Sequence, residues 1–212
     1  MMNISEIERD ALAEAFNVAL GAASASFADV VQTEVQMSVP RVELLSREQL
    51  NARLCELPAE AGQRRIVTIA QDFAAGQQIQ TDAVLLMPQQ ACLDVVRRML
   101  GEHAQAVQDI SELEQDALAE IGNIIINSCM GTLADMLGME FQGSLPQVDS
   151  ADVEQLVDQL HPGNATLLAE ISMTLKASNV SGMVLFLMNV PSLEQLVRHM
   201  RVYFGLGEPA VA

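Results

Sequence analysis

Tryptophan is absent from this chain, and aromatic residues make up only 3% of it. A core built from these residues must be aliphatic, packed from Leu, Ile, Val, Ala and many of the 12 methionines, whose flexible side chains fill irregular gaps. Basic residues are also scarce, 11 against 28 acidic, which leaves a net charge of −17. A surface this negative repels phosphate backbones and anionic lipid, so nucleic acid and membrane are excluded as partners and a basic or mixed protein face is favoured. Only three cysteines occur, Cys55, Cys92 and Cys129, with no CxxC pair, as expected of reduced thiols. His103, His161 and His199 lie too far apart for a zinc site. P-loop, GxSxG and HExxH patterns are all missing. The longest uninterrupted apolar run, near Met183 to Met188, is too short to cross a bilayer, and Met1 to Asp10 lacks the basic and apolar regions of a signal peptide. A cytoplasmic location is expected.

What the chain does have is an echo of itself. Ser5-Glu6-Ile7-Glu8-Arg9-Asp10-Ala11-Leu12-Ala13-Glu14 recurs as Ser111-Glu112-Leu113-Glu114-Gln115-Asp116-Ala117-Leu118-Ala119-Glu120, 106 residues on. Asn17 and Asn123, Asp29 and Asp135, and Pro40 and Pro146 keep that offset. A weaker match, Val96-Arg97-Arg98-Met99 with Val197-Arg198-His199-Met200, falls at 101, so the second copy has lost a few residues. Two copies of one pattern imply two copies of one substructure. The expectation is a single body over residues 1–212, with repeats at 5–105 and 111–205 and no flexible linker at Gly101 to Ile110.

Each copy opens with a long helix, from Ser5 to about Thr33 in the first, started by a Ser-x-x-Glu capping box. Its apolar residues Ile7, Ala11, Ala15, Val18, Ala22 and Ala23 recur at helical spacing. A strand follows over Val35, Met37, Val39, Val42 and Leu44, broken at Pro40, with Phe141, Leu145 and Val148 in the same places of the second copy. A short polar helix is expected near Arg47 to Leu54 and again near Ala151 to Leu160. Hairpins follow at Arg65–Phe73 with Gln78–Met87 and at Thr166–Lys176 with Val180–Met188, turning at Gly76 and at Ser178-Asn179. A closing helix starts near Gln89 and again near Ser192. The order predicts an α+β fold of two pseudo-symmetric repeats, with an antiparallel sheet packed against the two long helices.

Asp10, Glu14 and Asn17 leave such a helix within a stripe about 60° wide, because each residue advances about 100°. Asp116, Glu120 and Asn123 do the same on the second helix. The apolar stripe, centred on Ala15, Ala19 and Ala22, lies opposite, so the polar stripe is expected to face solvent. Further along it lie Gly21, Ser24 and Ala28, a small-residue surface that a partner's backbone could approach; Asn127, Met130 and Ala134 make a bulkier one in the second copy. The two sites need not be equal in strength. Acidic and amide residues on an outer helix face are commonplace, and duplication at the same positions weakens that plain reading without removing it.

This pattern resembles the CheC/CheX/FliY phosphatases of bacterial chemotaxis: Asp or Ser, three residues, Glu, two residues, Asn, twenty-two residues, Pro. It appears as Asp10, Glu14, Asn17, Pro40 and as Asp116, Glu120, Asn123, Pro146. The likeness is to CheC more than to CheX, which usually carries one motif, or FliY, whose added domain would not fit in this length. The resemblance implies hydrolysis of the aspartyl phosphate on a CheY-like receiver. Asn17 and Asn123 would then orient the attacking water, and Glu14 and Glu120 would contact a receiver lysine. Asp10, Asp116, Gly21, Ser24 and Asn127 would make supporting partner contacts. No cofactor of its own is implied, and Mg2+ is expected in the receiver. A CheD-like deamidase is the other partner the resemblance suggests. Two alternatives stay open: a non-catalytic module that binds a receiver or CheD, and a structural dimer in which motif helices face each other.

Overall fold

The computed structural model describes residues 4–56, 65–76, 79–100, 111–152, 155–156, 165–175 and 178–206. The elements run α1 (Glu6–Val31), β1 (Val35–Leu45), α2 (Arg47–Glu56), β2 (Arg65–Ala75), β3 (Ile79–Pro88), α3 (Gln89–Leu100), α4 (Glu112–Leu137), β4 (Gln142–Gly143), β5 (Gln147–Asp152), β6 (Ala165–Leu175), β7 (Ser178–Met188) and α5 (Val190–Tyr203). This is the expected α+β architecture on an antiparallel sheet.

The two long helices start alike. Ser5 accepts from the Glu8 N–H while the Glu8 carboxylate accepts from the Ser5 N–H; Ser111 and Glu114 repeat the arrangement. Each box satisfies helix-end donors that have no partner within the helix. Both helices span 26 residues and end on a left-handed residue, Gln32 and Gly138. Glycine adopts that conformation without cost, while Gln32 does so against its side chain.

The seven strands among the described residues form one sheet in the order β1-β6-β7-β3-β2, with β4 and β5 both pairing onto β2. The outer strands exchange sides: β1 pairs with β6, and β5 pairs with β2. The early edge strand β1 therefore joins the later hairpin, and the later strand β5 joins the early one, which locks the two hairpins together. Alternation along the strands divides the buried residues into two layers. One layer packs beneath α1, α4, α3 and α5, and includes Val67, Ile69, Leu85, Leu167, Val184 and Phe186. The opposite layer packs against α2 through Leu50 and Leu54. Phe16 of α1 stacks on Phe186 of β7 with ring centroids 5.3 Å apart.

Several expectations need correction. Ala151 and Asp152 belong to β5, since their backbone pairs with Ile66 and Arg65; Gln155 and Leu156 are helical, and most of the expected second polar helix lies outside the described residues. Ser178 and Asn179 are not the hairpin turn but the start of β7, paired with Leu175 and Thr174; residues 176–177 lie outside the described residues. The Gly101 to Ile110 connection lies outside them as well. Among the described residues, two helices are long and apolar enough to cross a membrane by length and composition, α1 and α4, which a search for unbroken apolar runs overlooks. Their apolar sides are already engaged, with 44% and 50% of their apolar windows buried.

Candidate functional site

The arc of α1 that meets the sheet comprises Leu12, Ala15, Phe16, Ala19, Leu20, Ala23, Phe27 and Val31. It is centred about 80° further round the helix than a stripe through Ala15, Ala19 and Ala22 would be. Ile7, Val18 and Ala22, expected inside, are consequently exposed, Ile7 at 64% and Val18 at 66%. The same rotation moves Asn17 and Ser24 from open surface to the rim of the buried arc, where both are half-buried. Asp10, Glu14 and Gly21 remain exposed. The α4 stripe is similar: Asp116, Glu120 and Asn127 are exposed and Asn123 is half-buried. The two helices pack against each other, so the stripes lie on one side of the molecule, with the exposed Ile7, Val18 and Leu113 among them. Acid next to exposed aliphatic surface suits a protein partner better than a small solute.

Neither Glu14 nor Glu120 has a hydrogen bond or ion pair among the described residues. Both carboxylates are thus available to a cation from outside. In α1 that is as far as the availability goes. The Asn17 amide oxygen accepts from the Val39 N–H at 2.7 Å, and its amide nitrogen donates to the Val39 carbonyl at 3.4 Å. Ser24, expected to meet a partner, donates to the Leu20 carbonyl at 2.7 Å and accepts from the Met37 N–H at 3.1 Å. Its hydroxyl is used within the fold.

In α4 the amide is held differently. Asn127 donates from its amide nitrogen to the Asn123 oxygen at 2.6 Å, one turn away. The Asn123 amide nitrogen has no partner among the described residues. Sequence explains why the two helices differ. Where α1 carries Phe16, α4 carries Gly122 at the same offset, and any side chain on Gly122 would collide with Ile69 of β2. The glycine lets α4 settle closer to the sheet there. Where α1 carries Ser24, α4 carries Met130, which is buried and has no hydroxyl to offer a strand. Among the described residues no cluster of three or more His, Cys, Asp or Glu could hold a metal ion.

One charged pair supports this side of the molecule from within. Glu8 is buried and pairs with Arg201 of α5, which ties the start of α1 to the last helix. Burial raises the Glu8 pKa, but hydrogen bonds from Ser5 and the Arg201 guanidinium together outweigh it and hold the carboxyl below its ordinary value. This pairing spans nearly the whole chain and left no local signal in the sequence.

No family model matches the chain. Among curated proteins it is similar to the CheY-P phosphatase CheC of Bacillus subtilis, 26% identical over 148 residues, covering 68% of this chain and 67% of that protein. It is also similar to the flagellar motor switch phosphatase FliY of the same organism, 20% identical over 180 residues, covering 84% of this chain but only 45% of that one. Among solved structures, Thermotoga maritima FliY superposes with a TM-score of 0.73 at 18% identity, covering 98% of this chain and 100% of the other. The FliM middle domain of H. pylori gives 0.64 at 15% identity over 92% and 99%. CheX, solved in a CheX-CheY-BeF3-Mg2+ complex from Borrelia burgdorferi, gives 0.51 at 20% identity over 83% and 96%. The fold is thus the one shared by FliY, the FliM middle domain and CheX. The doubled motif and the likeness to CheC and FliY support a protein of the CheC/CheX/FliY kind.

Proposed function

We propose that the protein hydrolyses the aspartyl phosphate of a CheY-like receiver domain, acting in the cytoplasm as one domain of two like halves, 5–105 and 111–205. The observation that carries this reading is the α4 stripe: an exposed, unpartnered Glu120 one turn from an amide whose nitrogen is unsatisfied. An aspartyl phosphate already has a good leaving group, and the receiver brings its own Mg2+ and lysine to the phosphoryl oxygens. What is left for this protein is positioning. A carboxamide can accept from a water and donate elsewhere, so Asn123 orients the nucleophile without adding charge. A carboxylate beside the phosphoryl group would repel it; one turn away, Glu120 pairs with a receiver lysine and sets the register. Glu14 on α1 offers the same contact. Asp10, Asp116, Gly21 and the exposed Ile7, Val18 and Leu113 complete the docking face. The protein needs no cofactor of its own in this scheme. The net charge of −17 disfavours nucleic acid and anionic membrane.

A second reading is a non-catalytic module that binds a receiver or a CheD-like deamidase and regulates by occupancy. The fold shared with the FliM middle domain favours keeping it, because one fold serves several roles. Stoichiometry separates the two. Phosphate release from receivers charged with acetyl phosphate should continue through many turnovers at a tenth of the receiver concentration. Acceleration that appears only at equimolar protein would point to a sink and not an enzyme.

A further inference from the structure

Strand β1 has a defect, and α1 repairs it. The pairing register of β1 with β6 jumps between Ser38 and Arg41, so Val39 and Pro40 have no paired partner on β6. Proline has no N–H to pair, but Val39 does, and its side chain is buried, at 2% exposure. A backbone N–H in such a place needs an acceptor. Asn17 supplies it, and its amide nitrogen turns to the carbonyl of the same residue. Two turns further along α1, Ser24 takes the Met37 N–H. Alternate residues of the edge strand are thus fastened to α1 by side chains, which also covers the strand against pairing with another chain.

The corresponding stretch of the second half is fastened elsewhere. Gly143 pairs with Phe73 of β2. The Ser144 N–H donates to the Asp72 carbonyl, the Asp72 N–H donates to the Ser144 hydroxyl, and Gln71 donates to the Ser144 carbonyl. Drawn onto β2, this segment leaves Leu145, the counterpart of Val39, at 85% exposure. No clasp reaches back to α4 among the described residues, and Asn123 keeps a free amide nitrogen. The same Asn-x22-Pro spacing therefore serves two ends.

We infer that Asn17 is a clasp for the bulged edge of β1 and takes no part in a reaction at the partner, so that the single working amide is Asn123. The second part rests on the phosphatase reading above; the first does not. Asn17→Asp is the discriminating change, because a carboxylate oxygen can still accept the Val39 N–H but cannot act as a carboxamide. Asn17→Ala removes the clasp outright, and Asn123→Asp makes the matched change on α4. Three readouts on the full chain decide the matter: thermal melting, amide hydrogen exchange across β1, and phosphate release from an acetyl-phosphate-charged CheY-like receiver at a temperature where every variant is folded. The expected result is that Asn17→Ala lowers the melting temperature by about 5 °C and speeds β1 exchange about tenfold. Asn17→Asp falls between it and wild type, and both keep at least about half of the turnover, while Asn123→Asp loses at least about tenfold. Loss of turnover in a folded Asn17→Asp protein overturns the clasp assignment, as does an Asn17→Ala variant with unchanged melting and exchange. Full turnover in Asn123→Asp overturns the choice of working amide. Should wild type release no phosphate from any receiver, the phosphatase reading falls, and melting and exchange still decide the clasp.

Discussion

The charged pair between Glu8 and Arg201 can be weighed against its own internal control. Glu8 and Glu114 occupy the same position of the same capping box, and both are buried. Of the two, only Glu8 has an arginine partner among the described residues, through Arg201 Nε, whose side chain is 21% exposed. Glu114→Ala removes the box contact to Ser111, worth about 1 kcal/mol. Glu8→Ala removes the equivalent contact plus a charge-assisted hydrogen bond. Such bonds are worth about 1.5–3 kcal/mol, toward the lower end here because solvent reaches the guanidinium. The expected costs are about 1 kcal/mol for Glu114→Ala and 2–3 kcal/mol for Glu8→Ala, or about 2–4 °C and 4–12 °C of melting temperature for a chain of this size. The pH dependence follows from the lowered Glu8 pKa. A carboxyl whose folded pKa lies below its unfolded value stabilises fully above the unfolded value and ceases to as pH falls through the folded one. The stability gap between wild type and Glu8→Gln should therefore be complete at neutral pH and shrink as acid passes below the ordinary glutamate range. Calorimetric melting from pH 7 downward reads both effects. Equal costs for the two alanines, or a gap that widens in acid, would refute the reasoning.

Two further outcomes are expected. Burial pushes the Cys129 thiol up to about 12 and the Cys92 thiol higher still, whereas Cys55 is exposed; a thiol reagent at pH 8 should label one cysteine in the native protein and all three after denaturation. Asn127→Leu removes the donor that holds the Asn123 oxygen. With chemistry slow relative to receiver dissociation, kcat for phosphate release should fall about tenfold with KM little changed; a rise in KM at constant kcat would show Asn127 to be a docking contact instead.

Much of this fold follows from local sequence rules. The two Ser-x-x-Glu boxes set the starts of α1 and α4, and alternation with Gly76 marked the first hairpin. The Asp-Glu-Asn stripes were visible as spacing alone. Other features depend on what the helices rest against. The face of α1 that meets the sheet is chosen by Phe16, Leu20 and Phe27, large residues that outweigh a stripe of alanines, and this turned Ile7 and Val18 outward and Asn17 and Ser24 toward β1. The exchange of edge strands, β1 onto β6 and β5 onto β2, joins segments far apart in sequence, for which no local pattern speaks. The twenty-two residues between Asn17 and Pro40 did hold a clue, since Asn17 reaches the residue just before that proline. Its meaning needed the bulge to be seen.

The most direct test of the central claim is a pair of measurements on Asn123→Ala: the rate of phosphate release from a charged CheY-like receiver, and the affinity for that receiver loaded with beryllofluoride in place of the phosphoryl group. Release is expected to fall by at least about tenfold while affinity stays within about threefold of wild type, because Glu120 and the aliphatic residues around it still dock the partner. Release at the wild-type rate with affinity intact would contradict it.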